Sequence, residues 1–440
     1  MVRRSLPFAA SAAWLGLHGA VSGAGPITVD SSDPTWLYHD GEPIFLCGPG
    51  DPENFLYRGS LNPDGTRSGD QDLLIAKLVG TGANVAWMTA VRSHGGDGDA
   101  THNPFIDHNP SLGVNAVVID QWEGWIAALD AAGIVTFFVF YDDSSRPWNT
   151  GSVVSAAEAA FFETIVNRFE SYGHLIWCVA EEYNEAYNVT RISALAELIV
   201  ETDDTGHPVS THQLESTQFH FANDPNLDAH AMHAGGGNTV SQLHAKVLTA
   251  KTFADDRYNV IMAESVGHYT NRTDARRLSW AAAMGGAYVF VHAMDVINTP
   301  VEAIEDCGRI VSFFSSAPFW EMSPRDELAR ADTDFVYGEP SIGWFVYADN
   351  FTGDLGLAIP PGGAGDFVLH WLDVASGMQV DESPIQLSAG DHAFTPPPGL
   401  GVDVALYLEA VQVTSAGASV QHRTWSSVKS LYRGHQGALR

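Results

Sequence analysis

From Ile44 onward the chain alternates short apolar runs with longer segments whose apolar residues recur at three- and four-residue spacing. IFLCG precedes LLIAKLVGTG, ANVAWMTAV precedes DQWEGWIAALDAAG, and IVTFFVFYDD precedes AAEAAFFETIVNRFESYG. A short apolar run bounded by turn residues reads as a buried strand, and the longer periodic segment as a helix that covers it. The alternation continues through LIWCVAEE, HPVSTHQ, NLDAHAMH, YNVIMAES and AYVFVHAMD, with helical patterns in ISALAELIVETDDTG, VSQLHAKVLTA and DARRLSWAAAMGG. Eight strands are predicted, beginning near Ile44, Ala83, Ile134, Leu175, His207, Asn226, Tyr258 and Ala287. Eight parallel strands alternating with helices over roughly 250 residues predict a (β/α)8 TIM barrel of the α/β class. The rival, an open doubly wound sheet, would carry a Gly-rich phosphate loop after its first strand, and none follows Gly48.

The flanks have other textures. Ahead of the barrel, Asp40-Gly41 sits between two apolar runs and signals a hairpin. Past Pro324 come short alternating runs, FVYGEPSIGWFVYADN, LGLAIPP, DFVLHWLDVASGMQV and VALYLEAV, separated by Gly, Pro and Asp; they predict a small antiparallel β-sandwich. The junction from Phe313 to Leu328 is too aromatic for a solvated tether, so Phe319 and Trp320 are expected to be buried between the domains. At the start of the chain, Arg3 and Arg4 precede an apolar run from Leu6 to Leu17 and the small residues Ser22, Gly23 and Ala24, the pattern of a secretory signal cleaved after Ala24. The expected organisation is therefore a signal at 1–24, a barrel with its hairpin at 25–325, a sandwich at 326–411 and a flexible basic tail at 412–440. The destination is secreted, extracellular or periplasmic. The leading apolar run falls short of the roughly 20 residues of a membrane span.

Charge narrows the partners. With 22 Lys+Arg against 53 Asp+Glu the formal net charge is -31, which excludes binding driven by phosphate neutralisation of a nucleic acid. Three widely spaced cysteines, Cys47, Cys178 and Cys307, make no disulfide framework. His230 and His233 stand three apart on a predicted strand and so face opposite ways; with no HExxH motif, neither a metal nor another cofactor is expected. Asn-x-Thr triplets begin at Asn188, Asn271 and Asn350.

In a TIM barrel the reactive side chains stand at the C-terminal ends of the strands. Two strands end in glutamate: the fourth delivers Glu181 and Glu182, the seventh Glu264. Paired carboxylates at one pocket mouth suit glycoside hydrolysis, in which one protonates the leaving oxygen and the other attacks the sugar. Side-chain alternation groups Glu182 with the small residues Cys178 and Ala180, and Glu264 with Val260 and Met262, so those two are expected to face the pocket about 5 to 5.5 Å apart. Glu182 would carry the raised pKa and Glu264 would stay ionised. Glu181 and Glu185 are the alternatives. Trp87, Arg92, His94, Asp142, Asp143, Glu181, His212, His233 and His292, at the ends of the other strands, are candidates for stacking on a sugar or binding its hydroxyls.

GANVAWMTAV, the RSHGGDG loop, DQWEGW, LIWCVAEEYNEA, YNVIMAE, WAAAMGGAYV, the FFSSAPFWEMSPRDELA junction and DFVLHWLDVASG together resemble the apiosidase-like (β/α)8-barrel glycosidases, relatives of the clan A glycoside hydrolases, which carry a C-terminal domain labelled collagen-binding. The resemblance spans roughly Ile27 to Val411. It implies a carbohydrate substrate, Glu182 as acid/base and Glu264 as nucleophile, and an extracellular matrix or cell-wall polymer as a further partner. Clan A barrels usually end the fourth strand in Asn-Glu, and here Glu181 stands in the asparagine's place. The resulting expectation is a retaining glycoside hydrolase acting on a polysaccharide or its side chains. Alternatives are a non-catalytic carbohydrate- or matrix-binding protein on the same scaffold and, third, a peptidase, for which no Ser/His/Asp set is visible.

Overall fold

A computed structural model describes residues 25–50, 55–149, 151–264, 271–292 and 294–411. The signal segment and the basic tail of the sequence reading lie outside the described residues.

The chain enters through a three-stranded antiparallel sheet, β1 (Ile27–Asp30), β2 (Asp33–His39) and β3 (Glu42–Ile44). Asp40 and Gly41 join β2 to β3 with φ of 53° and 78°, so both central positions of the turn are left-handed, the conformation that Asp-Gly favours. This sheet closes the bottom of the barrel. Trp36 packs edge-on against Tyr288 and Phe319, and the Tyr288 hydroxyl accepts from the Leu37 N–H at 2.6 Å.

Eight strands then close a barrel: β4 (Cys47–Gly50), β5 (Val85–Val91), β6 (Val135–Tyr141), β7 (Leu175–Ala180), β8 (Val209–Gln213), β9 (Ala229–His233), β10 (Asn259–Glu264) and β11 (Tyr288–His292). Every neighbouring pair is parallel, and β11 returns to β4. The first strand is CGPG because its neighbour leaves no room: a Cβ on Gly48 would lie 2.0 Å from the Val85 carbonyl oxygen. Around the barrel stand α1 (Gln71–Val79), α2 (Ala116–Ala131), α3 (Ala156–Phe169), α4 (Val189–Thr202), α5 (Val240–Ala254), α6 (Arg272–Met284) and α7 (Val301–Phe314). Asn115, Ser155, Asn188, Thr239 and Asn271 cap five of them by accepting backbone N–H bonds. Asn188 and Asn271, which open two of the Asn-x-Thr triplets, thus serve as helix caps.

Beyond the barrel, two antiparallel sheets form the sandwich. The larger is built on Phe335–Glu339, Gly343–Ala348, Gly365–Asp373 and Val404–Ala410, the smaller on Ala329–Ala331, Leu355–Ile359 and Gly390–Phe394. One face of the large sheet buries Trp344, Val346, Trp371 and Leu406 against Leu355 and Leu357 of the small one. Its other face joins the barrel core through Tyr337, Phe345, Tyr347 and Tyr407. The Tyr347 ring stacks on Trp280 of α6 at 5.3 Å, and Phe345 lies 4.6 Å from Phe313 of α7. Phe319 is buried at 1% exposure, while Trp320 is only half-buried.

Buried charge pins the same junction. Asp403, 2% exposed, accepts from the Arg276 guanidinium at 2.7 Å and from Arg277 at 2.6 Å. Truncating one member of a buried ion pair strands its partner, so Asp403→Ala should lower stability by about 3 kcal/mol in chemical denaturation. Barrel and sandwich should unfold in one transition in the native chain, because their apolar cores are continuous; two separate calorimetric transitions would contradict this packing.

Candidate active site

The barrel sends its polar residues to one rim. Arg92 follows β5, Asp142 and Asp143 follow β6, Glu181 and Glu182 follow β7, and His212, His233, Glu264 and His292 lie on β8, β9, β10 and β11. All stand at C-terminal strand ends, where the helices leave the barrel mouth open.

Local backbone geometry decides where the glutamates point. The Glu181 N–H still bonds the Tyr141 carbonyl at 2.8 Å, extending the ladder between β6 and β7. Glu182 then turns left-handed at φ 39° and ψ 45°, and the chain enters a 3-10 turn over Tyr183–Glu185. Such a conformation costs a non-glycine residue on the order of 1 kcal/mol or more. Here the Glu182 N–H donates to His212 Nδ1 at 3.1 Å and helps to fix it. Strict alternation therefore ends at Ala180. Trp177 does point outward, donating its indole N–H to Asp203 at 2.8 Å, but Glu181, placed by parity on that same outward face, turns into the mouth beside Glu182. On β10 a bulge between Met262 and Glu264 brings Glu264 level with His233 of β9.

The two expected glutamates meet across an imidazole. His233 Nδ1 is hydrogen-bonded to Glu182 Oε1 and lies 3.7 Å from Glu264 Oε2. One oxygen of each carboxylate and His233 Nδ1 all fall within 4.8 Å of one another. Two more rings surround Glu264: His212 Nε2 is 3.9 Å from Oε2, and His292 Nδ1 is 3.5 Å from Oε1. His292 Nε2 in turn stands 3.3 Å from Glu181 Oε1. His212 accepts at Nδ1, so its neutral ring carries the proton on Nε2, the atom facing Glu264. These separations would also suit a divalent cation held by Glu182, His233 and Glu264 or by Glu181, Glu264 and His292.

The electrostatics follow from burial. Burial pushes the Glu264 carboxyl above its ordinary value, while His292 and His233 draw it back. The upward push arises because the barrel wall strips water from Glu264. Desolvation alone would depress His233, but its bond to Glu182 and the charge of Glu264 carry it up. His212, fully buried beside His233 and His292, is held well below the usual imidazole range. Burial and the neighbouring Asp142, Asp97, Glu185 and Glu182 raise Asp143 to about 7.

The remaining candidates divide. Trp87 is 1% exposed and donates its indole N–H to Thr89; its ring lies 5.4 Å from those of His212 and His292. It is the floor beneath the histidines and offers no open face to a sugar, which corrects its reading as a stacking platform. Arg92, 3% exposed, reaches Asp142 at 3.5 Å and so supports an acid from below. His94 is exposed on the rim, where its ring meets Ser93 Oγ at 2.5 Å, apart from the glutamate cluster. His230 stacks on Phe219 at 4.7 Å, away from the partners of His233. Two contributors escaped the sequence reading. The Asp97 N–H holds Asp142 at 2.8 Å, and Glu215 lies close enough to His233 to help raise it. Neither ends a strand, which was the only signal available for them.

Residues 71–293 match the sequence profile described as apiosidase-like, catalytic domain. The chain belongs to the apiosidase-like family. Membership in this catalytic family makes it a glycoside hydrolase and implies a carbohydrate substrate. The apiosidase-like barrel and its sandwich together resemble a glycoside hydrolase family 5 structure from Bacteroides vulgatus ATCC 8482, with a TM-score of 0.69 at 13% identity over 92% of this chain and 98% of that one. A second structure, described as a glycoside hydrolase, gives a TM-score of 0.64 at 15% identity over 90% and 98% of the two chains. Identities this low establish the shared fold. No curated protein matches the apiosidase-like chain. No helix among its described residues is long and apolar enough to cross a membrane.

Proposed function

We propose that the protein is an exported, retaining glycosidase that cleaves a polysaccharide or its side chains, with Glu264 as nucleophile and Glu182 as acid/base. The observation that carries this reading is the approach of the two carboxylates to within 4.8 Å through a shared histidine, on the short side of the roughly 5 to 5.5 Å of retaining enzymes and well inside the 6.5 to 9.5 Å that inversion needs. Ionised Glu264 attacks the anomeric carbon as Glu182 gives its proton to the departing oxygen, leaving a glycosyl ester on Glu264. Glu182 then takes a proton from the water that breaks the ester, and both side chains return to their starting states. His233 bridges the pair and can keep Glu182 oriented through both steps, while His212 and His292 flank the attacking carboxylate.

Export rests on the Arg3-Arg4, apolar and Ser22-Gly23-Ala24 sequence pattern. The family's name directs a first screen to apiosides, followed by 4-nitrophenyl pentosides and hexosides and plant, algal and microbial polysaccharides. Release of a reducing sugar from one of these, with unchanged anomeric configuration in the first-formed product, is the expected result. Binding without turnover across the screen would overturn the catalytic reading. For the sandwich, the large sheet is covered on one face by the barrel and on the other by the small sheet, so a polymer could meet it only at edges, loops or the small sheet's outer face.

A further inference from the structure

Three strand ends bring an imidazole and two carboxylates to one point of the barrel mouth. Glu182 follows β7, His233 ends β9 and Glu264 ends β10, and one ligand atom of each lies within 4.8 Å of the other two. His233 Nδ1 is 3.7 Å from Glu264 Oε2 and hydrogen-bonded to Glu182 Oε1. Zinc bonds of about 2.0 to 2.2 Å set tetrahedral ligands about 3.4 Å apart, so side-chain movements of about 1 Å bring this triangle onto one dication. The Glu182 and His233 side chains are 12% exposed and that of Glu264 18%, which leaves an ion a path from solvent and a fourth position for water. Two rings steady Glu264 from behind. His292 Nδ1 faces its Oε1 at 3.5 Å, and His212 Nε2, fully buried and without a hydrogen-bond partner, faces Oε2 at 3.9 Å. The Glu182 N–H occupies His212 Nδ1, so Nε2 keeps its proton and supports the carboxylate as a donor, the arrangement that orients metal-bound carboxylates. The other groupings at the mouth are poorer. His292 turns Nε2 to Glu181 and Nδ1 to Glu264, and one ring cannot offer both nitrogens to a single ion. Asp143, Glu182 and Glu185 are carboxylates alone, a donor set for hard cations.

We propose that Glu182, His233 and Glu264 bind a transition-metal dication such as Zn²⁺, and that the bound ion shuts off glycoside hydrolysis. An imidazole nitrogen beside two carboxylate oxygens suits zinc, copper or nickel better than magnesium or calcium. The ion takes the place of the proton that joins His233 Nδ1 to Glu182, which leaves to solvent, and its two positive charges match the two carboxylates. With the ion in place, Glu264 Oε2 is committed to the metal and Glu182 has no proton to give, so ion and substrate exclude one another. That consequence rests on the two glutamates as the catalytic pair; the binding site does not. Since each ligand comes from a different strand, no spacing within one run of the chain marks the site.

The site is tested without a substrate, on purified protein stripped with EDTA and dialysed free of it. Calorimetric titration with zinc chloride at pH 7 should show tight binding of one ion per chain, with magnesium chloride weaker by about 100-fold or more. A crystal soaked in zinc chloride should give an anomalous peak about 2.0 to 2.2 Å from Glu182 Oε1, His233 Nδ1 and Glu264 Oε2. His233→Ala should weaken zinc binding by about tenfold or more; Glu264→Gln serves in the same titration if that variant does not fold. No binding, a peak only at other residues, magnesium held as tightly as zinc, or unchanged zinc affinity in folded His233→Ala overturns the site. The effect on turnover is read on the 4-nitrophenyl glycoside that the native enzyme hydrolyses fastest. Zinc should raise KM and leave kcat unchanged, with an inhibition constant within about threefold of the calorimetric Kd and full recovery on adding EDTA. Zinc bound at the three atoms that leaves KM unchanged, or that speeds the reaction, overturns the exclusion. If the native protein hydrolyses no glycoside, the proposed function fails while the titration and the crystal still decide the site.

Discussion

Replacing Glu264 with alanine should lower turnover by about 10⁴-fold or more, because the carboxylate that forms the covalent intermediate is gone while the walls of its pocket remain. His212, His233 and His292 converge on the vacated volume, and a small anion can occupy it. Sodium azide should accordingly restore part of the rate and yield a glycosyl azide of inverted anomeric configuration, since azide attacks once from the side that Glu264 held. The native enzyme should also lose activity on the acid side at a higher pH than an exposed glutamate would dictate. Burial raises the Glu264 carboxyl, and activity needs its ionised form, so the acid limb falls as pH drops through that raised value. A pH profile of kcat/KM checks this sign directly.

Glu182→Ala should behave differently. Removing a general acid costs roughly 10²- to 10⁴-fold where the leaving group needs its proton, and much less where it departs as a stable anion. Alkyl glycosides and natural polymers should slow most, and 4-nitrophenyl glycosides least in the glycosylation step. His233 loses its partner in this variant, so Glu182→Gln, which retains a hydrogen-bonding group of similar size, separates loss of the proton from disturbance of the ring. Near-normal activity on alkyl glycosides in both variants would transfer the role to Glu181 or Glu185.

The barrel was legible in the sequence because its strands are short apolar runs and its helices are amphipathic, so periodicity alone separates them. The predicted starts at Leu175, Ala83 and Tyr258 fall within two residues of β7, β5 and β10. Strand ends were legible for the same reason: a glutamate after an apolar run has few places to go except the rim. Alternation failed as a guide to direction one residue later. At Glu181 and Glu182 the chain leaves the strand, and a left-handed residue stabilised by His212, more than 25 residues away in sequence, redirects both side chains. Trp87 could not be assigned from sequence because a tryptophan under a site and one beside it carry the same local pattern; the packing of His212 and His292 over it decides.

The central claim, covalent catalysis by Glu264, is tested most directly by trapping. An activated 2-deoxy-2-fluoro glycoside of the sugar released in the screen should inactivate the enzyme with one sugar bound per chain, because the fluorine slows hydrolysis of the ester more than its formation. Mass spectrometry of the digested protein should then place the sugar on the peptide containing Glu264. A label on Glu181, Glu182 or Glu185, or turnover of the reagent with an inverted product and no label at all, would contradict the account.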